Sequence, residues 1–304
     1  MDKKNCDVLV VGGGPAGLTA ALYAARAGFK TIVLEKMGAG GQIMLTPDIE
    51  NFPGFLTVGG AELGAKMLEQ AEHAGAEVIY DEIESLDLDK KIFYCTACEI
   101  NCRSVIIATG AEPRKLDVDG EERLTGTGVH YCAICDGAFY KGKNVLVVGG
   151  GNSAVEEAIF MSEIAKNITL VNVTPDFNAQ AVLVEKLNSL KIPFHHETVV
   201  KNIIGKDKVT AAEICNVNTN KCQLLSVDAV FIAIGRVPST MQFAGQIELT
   251  NNGYITVDKN LCTSVLGVYA AGDVIDKSVR QVVTACADGA IAATHAAEWL
   301  RTGE

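Results

Sequence analysis

The chain has 304 residues, 48% of them apolar, with 30 glycines against 7 prolines. That length accommodates two domains with their own cores, and the composition suits an α/β protein with many tight turns rather than a disordered or fibrous chain. A formal charge of −11 argues against a nucleic-acid partner, because phosphate binding draws on clustered Lys and Arg.

The first element expected is an apolar strand over Asp7–Val11, running into Gly12-Gly-Gly-Pro-Ala-Gly17 and an alanine-rich helix to about Gly28. A second strand, Thr31–Leu34, ends on Glu35. A glycine motif that follows a strand, opens a helix and precedes an acidic strand end predicts a dinucleotide-binding unit. Gly12 permits the turn, Gly14 lets backbone N–H groups approach a pyrophosphate, Gly17 lets helix and strand pack, and Glu35 accepts from a ribose hydroxyl. With that strand so near Met1 no export signal is expected. Nor is any apolar run long enough to cross a bilayer, so the expectation is a cytoplasmic protein without a membrane. In that compartment the 10 cysteines should be reduced thiols, any disulfide being catalytic or regulatory. Cys95, Cys98 and Cys102, of which Cys98 and Cys102 would share a strand face, are read as passive thiols, with a second redox pair or a weak metal site as the alternatives.

The next chemistry lies in Tyr131-Cys-Ala-Ile-Cys-Asp-Gly137. A CxxC spacing places one thiol at a helix N-terminus and the other within bonding distance, and the dipole lowers a thiol pKa. Asp136 supplies a carboxylate that can deliver or remove a proton. A zinc site would have to recruit Cys95 and Cys98 from far upstream, a spacing unlike a zinc ribbon's, and no metal is expected. His130 would tune the thiol if it shared the face of Cys132; an exposed histidine without a role is the favoured reading.

A register shift of 137 residues carries Gly12 onto Gly149 and Glu35 onto Asn172. The strand Asn144–Val148, the loop Gly149-Gly-Gly-Asn-Ser-Ala154, a helix to about Ala165 and the strand Ile168–Val171 therefore repeat the first unit. Val105–Gly110 with Pro113 is echoed by Val230–Gly235 with Pro238. His195 and His196 point to opposite faces of any strand and are not read as a site. Cys215 and Cys222 bracket a turn and are expected to be reduced neighbours. Tyr269-Ala-Ala-Gly-Asp273 is a further buried strand ending in an acidic turn, followed by a helix from about Arg280 to Leu300. The order predicts an α/β fold of two Rossmann-like dinucleotide-binding domains, the second inserted into the first: 1–113 and 243–304 around 114–242.

Gly12–Gly17, Gly40-Gly-Gln42, Glu50-Asn-Phe-Pro-Gly54, Ala108-Thr-Gly110, Cys132–Gly137, Gly149–Ala154, Gly272-Asp273 and Arg280-Gln281 together resemble the low-molecular-weight thioredoxin reductases over essentially the whole chain. The resemblance implies a homodimeric flavoprotein of the pyridine nucleotide-disulfide oxidoreductase class, with thioredoxin as the disulfide substrate. FAD would be held by Gly12, Gly14, Gly17, Glu35, Gly41, Gln42, Asn51, Asp273, Arg280 and Gln281. Cys135 would face the flavin, Cys132 would attack the partner disulfide, and Asp136 would be the acid/base.

The second nucleotide site, built from Gly149, Gly151, Ala154 and Asn172, departs from that family. Where its NADPH-dependent members have a His-Arg-Arg stretch and a further Arg, this chain reads Asn172-Val-Thr-Pro-Asp-Phe-Asn178. A 2′-phosphate without a guanidinium forgoes charge-assisted hydrogen bonds of about 1.5 to 3 kcal/mol each. The expectation is the atypical, NADPH-independent branch known from anaerobes. NADH stays open, since Asn172 can hydrogen-bond a 2′-hydroxyl, and NADPH through unrecognised contacts is the alternative. Reduced ferredoxin is a candidate donor, because a couple near about −400 mV feeding one near about −270 mV releases roughly 6 kcal/mol per two electrons. From other classes, a ferredoxin–NADP reductase would need no CxxC, and a flavin redox sensor would not reduce thioredoxin quickly.

Overall fold

The computed structural model describes residues 2–46 and 48–303. The chain divides into two compact units, Met1–Glu112 with Val237–Glu304, and Pro113–Arg236. Residues 237–242, which the sequence reading grouped with the inserted unit, belong to the first.

In the first unit five parallel strands run in the order Val268–Ala270, Ser104–Ile107, Val8–Val11, Thr31–Glu35 and Glu77–Tyr80. Val8–Val11, Ser104–Ile107 and Val268–Ala270 are buried along their whole length, as strands covered on both faces must be. Helix α1 (Pro15–Arg26) follows the first glycine loop; Ala16, Ala20, Ala21 and Ala24 are buried on it. Small side chains let it pack closely on the long C-terminal helix described below. Helix α2 (Gly60–His73) precedes the edge strand. A second, four-stranded sheet joins Asp2–Asn5 to the hairpin strands Ile83–Asp87, Ile92–Cys95 and Cys98–Asn101.

The second unit repeats the parallel sheet, in the order Val129–His130, Ala229–Ile232, Asn144–Val148, Asn167–Val171 and Phe194–His195. Its strands alternate between two cores. Leu146, Val148, Val230 and Ile232 pack with the antiparallel sheet Thr198–Gly205, Val209–Asn216 and Cys222–Ser226. Val145, Val147, Ala229 and Phe231 face the helices instead, as the two-residue period of a strand requires. The helices are the short α3 (Glu121–Leu124) and α4 (Ala133–Asp136), then α5 (Asn152–Ser162) and α6 (Ala181–Ser189). Back in the first unit, α7 (Val282–Thr302) closes the chain, capped by the Gln281 side chain and by Thr284 in a capping box. Among the described residues no helix is long and apolar enough to cross a membrane.

Candidate active site

Val129 and His130 pair in parallel with Val230 and Phe231, and the chain leaves that sheet edge directly into Cys132. Cys132 is the N-cap of α4, and its Sγ accepts from the Cys135 N–H at 3.2 Å. The turn brings the Cα atoms of Cys132 and Cys135 to 5.3 Å, and the two are joined as a disulfide, within the separation that bridge needs. Ala133 is buried, whereas Ile134 between the cysteines is 61% exposed. The bridge therefore sits at a surface.

The expectation of an exposed His130 is overturned. His130 belongs to a sheet strand, stacks on Phe231 at 5.3 Å between ring centroids and is only 7% exposed. Its Nδ1 lies 3.1 Å from Asp136 Oδ2, and its Nε2 lies 2.8 Å from the Tyr140 hydroxyl. Burial pushes the Tyr140 phenol up to about 12, with the charges of Asp136 and Asp228 adding to it. The Asp136 carboxylate can only accept, which places a hydrogen on Nδ1 and, in the neutral ring, leaves Nε2 to accept from the Tyr140 hydroxyl.

Beside this turn, Glu157 of α5 accepts the Ala133 N–H, and its Oε2 is buried without a hydrogen-bond partner. Burial raises its pKa to about 7, against the lowering by that N–H and by Arg236. Neither Glu157 nor Tyr140 was picked out from the sequence. Glu157 was legible there: Ala154, Ala158 and Met161 are buried on the same side of α5, so a carboxylate interrupts the apolar stripe.

In the first unit Gly12 closes its strand with φ +107°, and a Cβ there would stand 2.4 Å from the Ala108 carbonyl oxygen. A Cβ at Gly17 would stand 1.8 Å from the Gly12 oxygen. Gly14, the N-cap of α1, is different: nothing comes nearer to its absent Cβ than Gly41 Cα at 3.9 Å. The protein's own packing does not require that glycine, whereas a pyrophosphate approaching the helix N-terminus does. Glu35 accepts from the N–H groups of Gly13 at 2.6 Å and Met37 at 2.9 Å. Gln42 donates to the Ala111 carbonyl at 2.5 Å, and Asn51 donates to the Gln281 side chain at 3.1 Å. Arg280 lies over the Tyr254 ring at 4.4 Å and donates to the Ile275 carbonyl. Asp273 lies in the turn Gly272–Val274. Asp288, which the sequence reading passed over, accepts from Gly272 N–H at 3.1 Å and pairs with Lys277 at 2.5 Å, pinning that turn to α7. These groups fit a dinucleotide with an adenosine ribose at Glu35.

The second loop has the same frame. Gly149 has φ +143°, with the Ala233 oxygen 2.4 Å from its absent Cβ, and Gly151 has nothing within 4 Å. A cavity of about 590 Å³ opens beside it, lined by Gly149–Ser153, Val171–Thr174, Asn178, Thr198–Val200 and Ala233–Gly235. The Asn172 side chain packs against Gly150 as Glu35 packs against Gly13, but it carries no carboxylate. It is 4% exposed and donates to Thr174 Oγ1 and the Asp176 carbonyl, both at 2.8 Å.

The sequence pattern of the pyridine nucleotide-disulphide oxidoreductase family matches residues 6–289. A thioredoxin reductase of Rickettsia conorii is 44% identical over 98% of this chain and 99% of its own length. The chain belongs to the low-molecular-weight thioredoxin reductases. A solved thioredoxin reductase of Streptococcus pyogenes superposes with a TM-score of 0.91 at 41% identity, covering 98% of this chain and 99% of that one. A ferredoxin-flavin thioredoxin reductase of Clostridium acetobutylicum is 27% identical with a TM-score of 0.53, covering 99% of both chains. The chain is accordingly a flavin-dependent thioredoxin-disulfide reductase, and its two parallel sheets are the two Rossmann-like domains of that class.

Three other cysteine pairs in the reductase stand apart from this chemistry. Cys215 and Cys222, expected to be reduced, are joined as a disulfide. The strand register sets them directly opposite, with Cα atoms 4.1 Å apart, the close spacing of a pair that exchanges no backbone hydrogen bonds. Cys95 and Cys98 are both buried and converge with Asp81. Asp81 is already engaged there, accepting from the N–H groups of Glu82 and Ala97 and from the Cys98 thiol. Burial pushes Cys95 up to about 12 and raises Cys98 as well, which makes poor nucleophiles of both. The free Cys102 thiol is raised by its hydrogen bond with Cys6 and by burial.

Proposed function

We propose that this reductase binds FAD in the unit formed by residues 1–112 and 237–304, and passes electrons through Cys132 and Cys135 to thioredoxin from a donor other than NADPH. When bound, the flavin supplies an electron pair to the disulfide. The family resemblance assigns Cys135 to the flavin side and Cys132 to the substrate side. The Cys132 thiolate then attacks the partner disulfide, Asp136 takes the Cys135 proton, and Cys135 closes the enzyme's bridge as the partner leaves reduced. FAD is supported by the opening at Gly14 and by Glu35 at the ribose position. The same resemblance gives a homodimer in the cytoplasm.

One observation carries the reading of the donor. Asn172 spends its amide on its own loop, and residues 172–178 hold no Lys or Arg to meet a 2′-phosphate. Asp176 would instead repel it. Reduced ferredoxin is the donor named by the Clostridium acetobutylicum relative, and its low potential supplies ample drive. NADH is the second reading, favoured by Gly151, which, like Gly14, is not demanded by neighbouring atoms. An anaerobic flavin titration with NADPH, then NADH, then reduced ferredoxin, followed by thioredoxin, tests both: the flavin should stay oxidised with NADPH and NADH and be bleached by reduced ferredoxin. Prompt bleaching by NADPH would overturn the reading, and bleaching by NADH alone would select the second one.

A further inference from the structure

Opening a disulfide to two thiols consumes two protons as well as two electrons, and Asp136 alone can hold one proton. His130 is the other proton carrier on this turn. Its position is tightly defined: Nδ1 faces Asp136 at 3.1 Å, Nε2 faces the Tyr140 hydroxyl at 2.8 Å, and the ring lies on Phe231. His130 and the Asp136 side chain are 7% and 15% exposed. A change of charge on the groups that hold a buried imidazole at both nitrogens shifts its proton equilibrium. The charged and titratable groups around it are Asp136 and Tyr140 in direct contact, Asp228 acting on Tyr140, and Glu157 with Arg236 beyond Asp136.

We propose that His130, oriented by Tyr140, is the positioning residue through which Asp136 exchanges protons, so that the His130–Asp136 pair gains a proton when the Cys132–Cys135 bridge is opened. The proposal rests on Asp136 being the acid/base of the dithiol. The donor's electron pair breaks the S–S bond to leave one thiol and one thiolate, which takes up one proton. The new negative charge draws a second proton onto the pair as imidazolium and carboxylate. When the Cys132 thiolate attacks the partner disulfide, the departing partner thiolate takes the stored proton. Cys135 then gives up its own proton, attacks the mixed disulfide and releases the second partner sulfur, which takes that proton. Two electrons and two protons leave with the partner, and the enzyme's bridge is restored.

The direct test follows the ¹⁵N signals of the five histidines in the holoenzyme, oxidised and two-electron reduced, with His130→Asn identifying the His130 signal. The expected result is a His130 midpoint about one pH unit higher in the reduced protein, as a nearby negative charge dictates. Identical midpoints in the two states would overturn the proposal, whatever the variants do. His130→Asn can still donate to Asp136 but cannot titrate. Its turnover with thioredoxin should fall about tenfold, less than the roughly 10²–10⁴-fold of a full general acid–base group because Asp136 remains, and its pH profile should lose one titration. A wild-type profile in His130→Asn would also overturn it. Asp136→Asn separates the two ideas. If that variant turns over normally, the acid/base reading itself fails; if it is slow while His130 ignores the redox state, only the His130 proposal fails.

Discussion

The two glycine loops share a backbone and differ in what hangs on it. In each, a Cβ added to a glycine with positive φ would stand 2.4 Å from the carbonyl oxygen of the residue that follows a neighbouring strand, Ala108 in one and Ala233 in the other. In each, the segment beyond the next strand returns to bond the loop: Gly40 N–H reaches the Gly13 carbonyl at 2.7 Å, and Asn178 N–H reaches the Gly150 carbonyl at 2.8 Å. At the strand end both side chains pack on the glycine loop, but the Glu35 carboxylate accepts from the Gly13 N–H while the Asn172 amide bonds to Thr174 and Asp176. The fold preserves the frame of a nucleotide site independently of the groups that choose the nucleotide.

The strongest way to break this comparison is to add one methyl group at the matching open positions. Gly14 and Gly151 have ordinary φ values of −77° and −87° and room for a Cβ, so neither alanine should cost measurable stability. Gly14→Ala should nevertheless be purified with little flavin, because the methyl group occupies the approach of the pyrophosphate; flavin absorbance per chain measures this. Gly151→Ala should keep its flavin and, with a donor that bypasses this loop, turn over within about twofold of the parent, the size of effect a substitution with no mechanism behind it leaves. A large loss in Gly151→Ala would place the donor at the second loop.

The next difference lies one turn into the following helices, where the same register puts the fully buried Ala20 of α1 against Glu157 of α5. Burial raises Glu157 from the ordinary 4.5 to about 7. Below pH about 4.5 the carboxyl is protonated in both folded and unfolded chains and costs nothing. As pH rises through about 7 the folded protein must ionise it in place, so that contribution to stability is lost. Glu157→Gln should remove this dependence and be the more stable protein at pH 8, by at most about 3 kcal/mol. Melting temperatures at pH 5 and pH 8 measure it, and parallel shifts in both proteins would rule the effect out.

Much of this was legible without coordinates because it rests on local patterns. The buried strands ending at Gly12 and Gly149 declare themselves by continuous apolar runs bounded by glycine, and Cys132 and Cys135 by their spacing. What escaped was set by pairing at a distance. Val129–His130 is too short a strand to show a period, so the burial of His130 follows only from its place beside Phe231. Cys215 and Cys222 flank a six-residue turn, Asn216–Lys221, whose register the sequence does not state, and a general expectation of reduced thiols stood in for it. The departure at Asn172, by contrast, was visible, because a missing arginine needs no coordinates.

The finest test adds charge to the second loop alone. Val173 lines the cavity, is 56% exposed, and its side chain takes no part in the Asn172 hydrogen bonds that shape the turn. Val173→Arg places a guanidinium beside the adenosine end of the frame without disturbing them. One charge-assisted contact to a 2′-phosphate is worth about 1.5 kcal/mol at the low end, roughly tenfold in affinity. Flavin reduction by NADPH, measured by stopped flow, should therefore rise about tenfold in kcat/KM, while reduction by NADH stays where it was. A gain with both nucleotides would mean that the arginine acts on the pyrophosphate instead. No gain with either would mean that the second loop no longer receives a nucleotide at all, and that the two frames differ in use as well as in charge.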